Sequence, residues 1–220
     1  MNRYISDLHL GHTNVIKFDN RPFESLDEMH RIIITNWNEV TDKDDTVFIL
    51  GDFCWETEQG WEKYLQELKG KKVLIQGNHD IKSPSKNLRK YFLDVKPYKE
   101  ITDSGRHIIM SHYPIPMHKA AYGEGCYMLY GHVHNTREEW FMRKLRHEMR
   151  MSCCEMGHNR GQWYNVGCMM PWMNYTPQTL DEIIEKEKAF GIDFKGLKKD
   201  SVEWWKENQN VWDFTIPFNR

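Results

Sequence analysis

Five short apolar runs of β type, each ending in a cluster of Asp, Asn or His, constrain this 220-residue chain more than any other feature. Residues 3–6 lead into Asp7-Leu8-His9 and residues 46–50 into Gly51-Asp52. Residues 72–76 lead into Gly77-Asn78-His79-Asp80, residues 107–111 into His112, and residues 127–130 into Gly131-His132-Val133-His134. Other segments space their apolar residues by three and four, which predicts helices. Ser25-Leu26-Asp27-Glu28 has capping-box form and opens a helix to about residue 39 on Leu26, Met29, Ile32, Ile33 and Trp37. Trp61, Tyr64, Leu65 and Leu68 mark a second helix. Thr136-Arg137-Glu138-Glu139 opens a third, to about residue 150, and residues 179–182 cap a fourth, to about residue 190. Residues 162–166 read as a closing strand. Strands apolar enough to be buried on both faces, alternating with helices, indicate an α/β layered fold.

The carboxyl ends of strands are where ligands gather in such sheets. Here they deliver carboxylate, imidazole and amide donors: Asp7, His9, Asp52, Asn78, His112, His132 and His134. A mixed oxygen and nitrogen set suits divalent first-row metals such as Mn, Fe, Ni or Zn. Seven donors are too many for one ion with open positions, whereas two ions sharing one carboxylate fit the count. In an extended segment residues i and i+2 face the same way, so Asp7 with His9, and His132 with His134, are expected to converge on one cavity. Gly51, Gly77 and Gly131 allow the close backbone approach that this requires. Taken singly, Gly-Asp or Asp-x-His arises by chance. Five such blocks in order, each directly after a β run, point to a metal site. His30, His107, His118, His147 and His158, outside these blocks, read as surface or core residues.

Composition sets the outer bounds. Lys plus Arg total 30 and Asp plus Glu total 32, a net charge of −2, which argues against a general electrostatic partner such as nucleic acid or a membrane surface. The helix from Thr136 carries Arg137, Arg143, Lys144, Arg146 and Arg150; a solvated face is the simpler expectation there and a nucleic-acid contact the alternative. No run approaches the length of a membrane span, and five cysteines with no Cys-x-x-Cys spacing fit reduced thiols in a cytoplasmic protein. A zinc site on Cys153, Cys154 and His158 is the weaker alternative. A single domain over 1–220 is expected, with a helical insertion at about 136–161 and a Trp-rich C-terminal tail at about 191–220. Trp204, Trp205 and Trp212 in that tail are read as pinning it to the domain, with base stacking as the alternative.

Together the five blocks closely resemble the signature of the calcineurin-like metallophosphoesterase superfamily: Asp-x-His, Gly-Asp, Gly-Asn-His-Asp, His, then Gly-His-x-His. The resemblance spans residue 1 to about 180. Gly11-His12-Thr13-Asn14-Val15-Ile16, Asn20-Arg21-Pro22-Phe23 and Asn165-Val166-Gly167 resemble a compact bacterial or phage subgroup of predicted phosphoesterases. The resemblance implies two β-sheets packed as a sandwich with helices on the outer faces. It implies a binuclear centre in which Asp7, His9 and His134 hold one ion, Asn78, His112 and His132 the other, and Asp52 bridges them. Manganese is the expected metal, with Fe, Ni, Zn or Mg as alternatives. His79 matches the family's catalytic histidine near the leaving group, and Asp80 its orienting acidic partner. A hydroxide bridging the two ions would attack the phosphorus in line. Trp55 departs from the pattern, standing where a second acid often follows Gly-Asp. The expected activity is hydrolysis of phosphodiesters, small or nucleotide-like. A phosphomonoesterase or protein phosphatase, and a non-catalytic metal-binding scaffold, are the alternatives. His12 and Arg21 are candidates for contacting substrate, against a purely structural role for each.

Overall fold

In the computed structural model the described residues are 1–121, 123–154 and 161–190. Expectations resting on the Cys153 and Cys154 side chains, His158, Trp204, Trp205 and Trp212 fall outside what is described. Strands β1 (Asn2–Ile5), β2 (Thr46–Ile49), β3 (Lys71–Ile75) and β4 (Phe92–Lys96) form one parallel sheet in that order. Tyr4 lies opposite Phe48, and Phe48 opposite Val73. Parallel neighbours need crossovers. The short α1 (Val15–Phe18) and α2 (Leu26–Val40) make the first, α3 (Glu58–Glu67) the second and α4 (Lys86–Arg89) the third. The second sheet runs β5 (Tyr98–Asp103), β6 (Arg106–Ser111), β7 (Cys126–Tyr130), β8 (Trp163–Asn165). Its first pair is antiparallel and the others parallel. Helix α5 (Arg137–Cys154) joins β7 to β8, and α6 (Leu180–Lys188) follows.

The sheets face each other across one core. Tyr4, Ile5 and Val47 of the first sheet share a buried cluster with Ile108 and Met110 of β6, and with Met29, Ile33, Trp37, Trp61 and Leu65 of α2 and α3. Ile109, between Ile108 and Met110, belongs instead to a second cluster with Met128, Tyr130 and Trp163. Met142 and Met149 of α5 pack on that cluster. The period of two along β6 therefore separates an inner face from a helix-covered outer face, which is the sandwich with flanking helices that the sequence implied.

Caps follow the sequence with one exception. The Ser25 hydroxyl accepts the Glu28 N–H at 3.2 Å, and Thr179 with Glu182 forms a reciprocal capping box. At α5 the expected box does not form: Thr136 Oγ1 accepts the Glu138 N–H at 3.3 Å, while Glu139 turns inward. The solvated-face reading of this helix is overturned for two of its arginines. Arg143 and Arg146 are both buried, because both pair with Glu187 of α6, and Arg146 also donates to the Trp163 carbonyl at 2.6 Å. Strands β4 and β5 went unread in the sequence. β5 and β6 are joined by Ser104 and Gly105, both at positive φ, the two-residue turn that matches strand twist. Among the described residues no helix is long and apolar enough to cross a membrane.

Candidate metal centre

The backbone ladders continue past the strand ends and draw the polar clusters together. The Asp7 N–H donates to the Gly51 carbonyl at 3.0 Å and the His9 N–H to the Asp52 carbonyl at 2.9 Å. Ser6 donates to the Val166 carbonyl at 2.8 Å and accepts the Cys168 N–H at 2.9 Å, which ties the end of β1 to the end of β8. The Gly131 N–H donates to the His112 carbonyl at 3.0 Å. The carboxyl ends of five strands thus meet at one place.

How the side chains converge differs from the expectation. Asp7 (φ 56), His9 (φ 50), His132 (φ 69) and His134 (φ 48) are in the left-handed region, as is Asp52 (φ 51). The i, i+2 pairs face one cavity because each member sits on a left-handed kink, not because they share a pleat. Such conformations cost on the order of 1–3 kcal/mol each and cluster at functional sites, held by the surrounding bonds. Close approach is the other requirement. A Cβ on Gly77 would stand 2.3 Å from Asp52 Oδ1, and one on Gly131 2.4 Å from Asp7 Oδ2.

All seven expected donors are brought together in two lobes. Asp7, His9, Asp52 and His134 each offer one atom, all within 4.8 Å of one another, a group that could hold a metal ion. His9 Nε2 and His134 Nε2 are 3.1 Å apart, and His134 Nε2 is 3.7 Å from Asp7 Oδ1. In the other lobe Asn78 Oδ1 is 2.9 Å from both His112 Nε2 and His132 Nδ1. Asp52 Oδ2 faces both lobes, 3.6 Å from His9 Nε2 and 3.4 Å from His112 Nε2.

Second partners fix which nitrogen of each ring is presented. His112 Nδ1 donates to the Leu50 carbonyl at 2.8 Å, leaving Nε2 for the site. His134 Nδ1 donates to Asp19 Oδ1 at 2.6 Å and likewise turns Nε2 inward. Asp19 was missed in the sequence reading, although it directly precedes the quoted Asn20-Arg21-Pro22-Phe23. Asp7 Oδ2 accepts the Ser6 hydroxyl at 2.6 Å, and the Asp7 carboxylate accepts the His132 N–H at 3.1 Å. Electrostatics follow the packing. Burial works to lower the His112 pKa, but the hydrogen bond and charge of Asp52, with Asp7, outweigh it and raise the imidazole to about 9. Burial, with His134 and Arg21 nearby, drives His9 down to about 2. Against its own desolvation, His112 and His9 hold Asp52 well below the usual carboxylate range.

Two expectations require correction. Arg21 cannot reach substrate. Its side chain is fully buried; it donates to the Asp7 and Leu8 carbonyls at 2.8 and 2.9 Å and to Asp19 Oδ2 at 2.8 and 2.9 Å. It is a clamp on the Asp7–His9 segment. Asp80 is not aimed at the His79 ring: its oxygens accept the amide N–H groups of Gly77 (2.7 Å), Phe53 (2.9 Å) and Asp52 (3.1 Å), stapling two site loops. Burial, the largest influence, lifts its pKa to about 6 despite those bonds. His79 is exposed at the rim, its N–H donating to Asp52 Oδ1 at 2.9 Å. His12 is part-buried against Trp55 at a ring separation of 4.3 Å. Two aromatic rings stand open at the rim: Trp55, 4.4 Å from His79, and Tyr113, 4.5 Å from His132.

Comparison with known proteins gives the family. The family model of calcineurin-like phosphoesterases matches residues 4–218. An uncharacterized protein of Methanocaldococcus jannaschii is 42% identical over 78 residues, 34% of this chain and 44% of that protein. The Gene 66 protein of Mycobacterium phage D29 is 30% identical over 161 residues, covering 60% of this chain and 77% of that protein. The chain thus spans less than half the length of the first of these relatives. The crystal structure of a protein of unknown function from Aquifex aeolicus superimposes with a TM-score of 0.59 at 28% identity, covering 84% of this chain and 98% of that one. With its five ordered motifs gathered at one pole of two facing sheets, this chain belongs to the calcineurin-like phosphoesterase family.

Proposed function

We propose that this chain is a metal-dependent phosphoester hydrolase in which two divalent ions share Asp52, acting on phosphodiesters that are small or nucleotide-like. The observation that carries the reading is the position of Asp52 Oδ2, 3.6 Å from a nitrogen of one lobe and 3.4 Å from a nitrogen of the other. Asp7, His9 and His134 would hold one ion and Asn78, His112 and His132 the second. Oxygen and nitrogen donors without thiolate suit a divalent first-row metal, and the family resemblance makes manganese the ion we propose, with iron, nickel, zinc or magnesium as substitutes. When bound, such a pair neutralises phosphoryl oxygens and makes a water nucleophilic near neutral pH.

The chain's own residues do the rest. The bonds from His112 to the Leu50 carbonyl and from His134 to Asp19 hold both rings with Nε2 presented, so little reorganisation is needed on loading. His79, exposed beside the cluster, is the group to protonate the departing ester oxygen, a role worth about 10²–10⁴ in rate. The open aromatic ring of Tyr113 suits a small organic ester. We further read the chain as one domain, and the unpaired, buried Cys54, Cys126 and Cys168 as fitting a reducing cytoplasm.

The test strips the purified protein of metal, restores Mn²⁺, and compares bis-p-nitrophenyl phosphate with p-nitrophenyl phosphate. Metal-dependent diester turnover, reduced in His79→Ala, is the expected result. Turnover of the monoester alone would replace the diesterase reading with a phosphomonoesterase. Two bound metals with no hydrolysis of either ester under several metals would leave a scaffold.

A further inference from the structure

The corrected position of Asp80 leaves a question of physical chemistry: what holds the His79 ring? Its main chain is fixed through Asp52, but an exposed imidazole on a loop has several rotamers open to it. The carboxylate expected to restrict it is committed to three main-chain amides. The ring contacts of His79 are with Trp55, centroids 4.4 Å apart at 44°, and with His9 at 5.8 Å.

Trp55 is itself firmly placed. Its main-chain N–H donates to the Leu10 carbonyl at 2.8 Å, extending the bridge between Leu10 and Cys54. Its indole also packs on His12 at 4.3 Å, and His12 in turn meets the Phe18 ring edge-on at 6.0 Å. The His12 N–H donates to the His9 carbonyl at 3.0 Å. A continuous aromatic row, Phe18, His12, Trp55 and His79, therefore runs from α1 to the site and is anchored by main-chain bonds along the Asp7–His12 segment.

We propose that Trp55 is the positioning residue for His79: its indole, in place of a carboxylate, holds the imidazole in the orientation that faces the leaving group. This rests on the hydrolase reading above and adds the group that sets the geometry of its proton donor. A ring held by π contact keeps both nitrogens free of a fixed partner, so one can face the ester oxygen. Indole faces also favour contact with an imidazolium, the form that donates the proton.

The decisive comparison uses two diesters with the same metal-loaded protein, one with a p-nitrophenol leaving group and one with an alkyl alcohol that needs protonation to depart. Trp55→Ala is expected to lower kcat on the alkyl ester by about 10²-fold, the cost of a misplaced catalytic group. KM and the p-nitrophenyl rate are expected to stay within about twofold, because a good leaving group departs without general acid help. Trp55→Phe should restore most of the loss, and Trp55→Ala should add nothing in a His79→Ala background. A rise in KM with unchanged kcat would instead make Trp55 a substrate platform and overturn the proposal, as would additive losses in the double variant.

A second readout needs no turnover. In the metal-free protein the His79 ring protons sit in the indole ring current, and their NMR resonances should move on Trp55→Ala while those of His107 do not. Unmoved His79 resonances overturn the positioning role whatever the activity. Shifted resonances in a protein that cleaves no ester would keep the contact and sink the hydrolase reading. Trp55 is 47% exposed, so its truncation opens no core cavity.

Discussion

Replacing Arg21 by Met separates a structural clamp from a substrate contact more cleanly than any other single change. Among the described residues the guanidinium joins Asp19 to the Asp7 and Leu8 carbonyls through four hydrogen bonds of 2.8–2.9 Å. Met fills the space but offers no donor, so the buried Asp19 carboxylate loses a cation and two buried carbonyls lose their guanidinium bonds. Breaking a buried pair from one side costs about 3–5 kcal/mol, and the orphaned carbonyls act within that range, not on top of it. Urea unfolding in the presence of chelator measures the loss without contributions from metal binding. The double variant Asp19→Asn/Arg21→Met should recover part of it, because no unpaired charge then remains, and the resulting non-additivity should be about 1–3 kcal/mol. A substrate clamp predicts the opposite pattern: stability within about 0.5 kcal/mol of the parent and a raised KM. That pattern would refute the burial argument.

Three further expectations follow from the same geometry. Asp19→Asn keeps the shape but weakens the acceptor of His134 Nδ1, so Mn²⁺ affinity by calorimetry should fall about 10–100-fold, alongside a loss of stability because the buried Arg21 guanidinium loses its counter-charge. Gly77→Ala would place a methyl 2.3 Å from Asp52 Oδ1, and metal-dependent activity should be lost even where circular dichroism is unchanged. Glu139, fully enclosed with Tyr130, Asn165, Arg143 and Arg146 around it, has its pKa raised to about 7, burial being the main cause. Its folded-state pKa lies above the unfolded one, so its contribution is fully present below about pH 4.5 and is lost as pH rises through about 7. Unfolding free energy should decline over that window, by roughly 3 kcal/mol at most, and Glu139→Gln should flatten the slope. A slope identical in the variant would show that Glu139 is not its source.

The outline of the site was legible because its donors follow directly on strands buried in parallel ladders, which read as unbroken apolar runs. The fold brings those donors together, but by a different backbone geometry from the one expected. Nothing in Asp7-Leu8-His9 announces that both ends adopt left-handed backbone, since Asp and His are tolerated there without a glycine to mark it. Asp19 stayed hidden because its partner His134 lies 115 positions away. Arg21 looked available for a phosphate because charge suggests exposure, and only the fold shows it enclosed. Arg143 and Arg146 misled in the same way: their counter-ion Glu187 comes from a helix more than 40 positions on. Strands β4 and β5 escaped notice because charged residues interrupt their apolar ones without a regular period, a half-exposed pattern weaker than a continuous run.

The most direct test of a two-lobed centre shared through Asp52 is the number of ions bound per chain, by elemental analysis after Mn²⁺ loading and removal of excess metal. The parent protein should hold two. His134→Ala and His112→Ala, each disabling one lobe, should hold one with the fold retained, and Asp52→Asn should weaken both together. One ion in the parent, or two retained in both single-lobe variants, would contradict the shared-carboxylate arrangement.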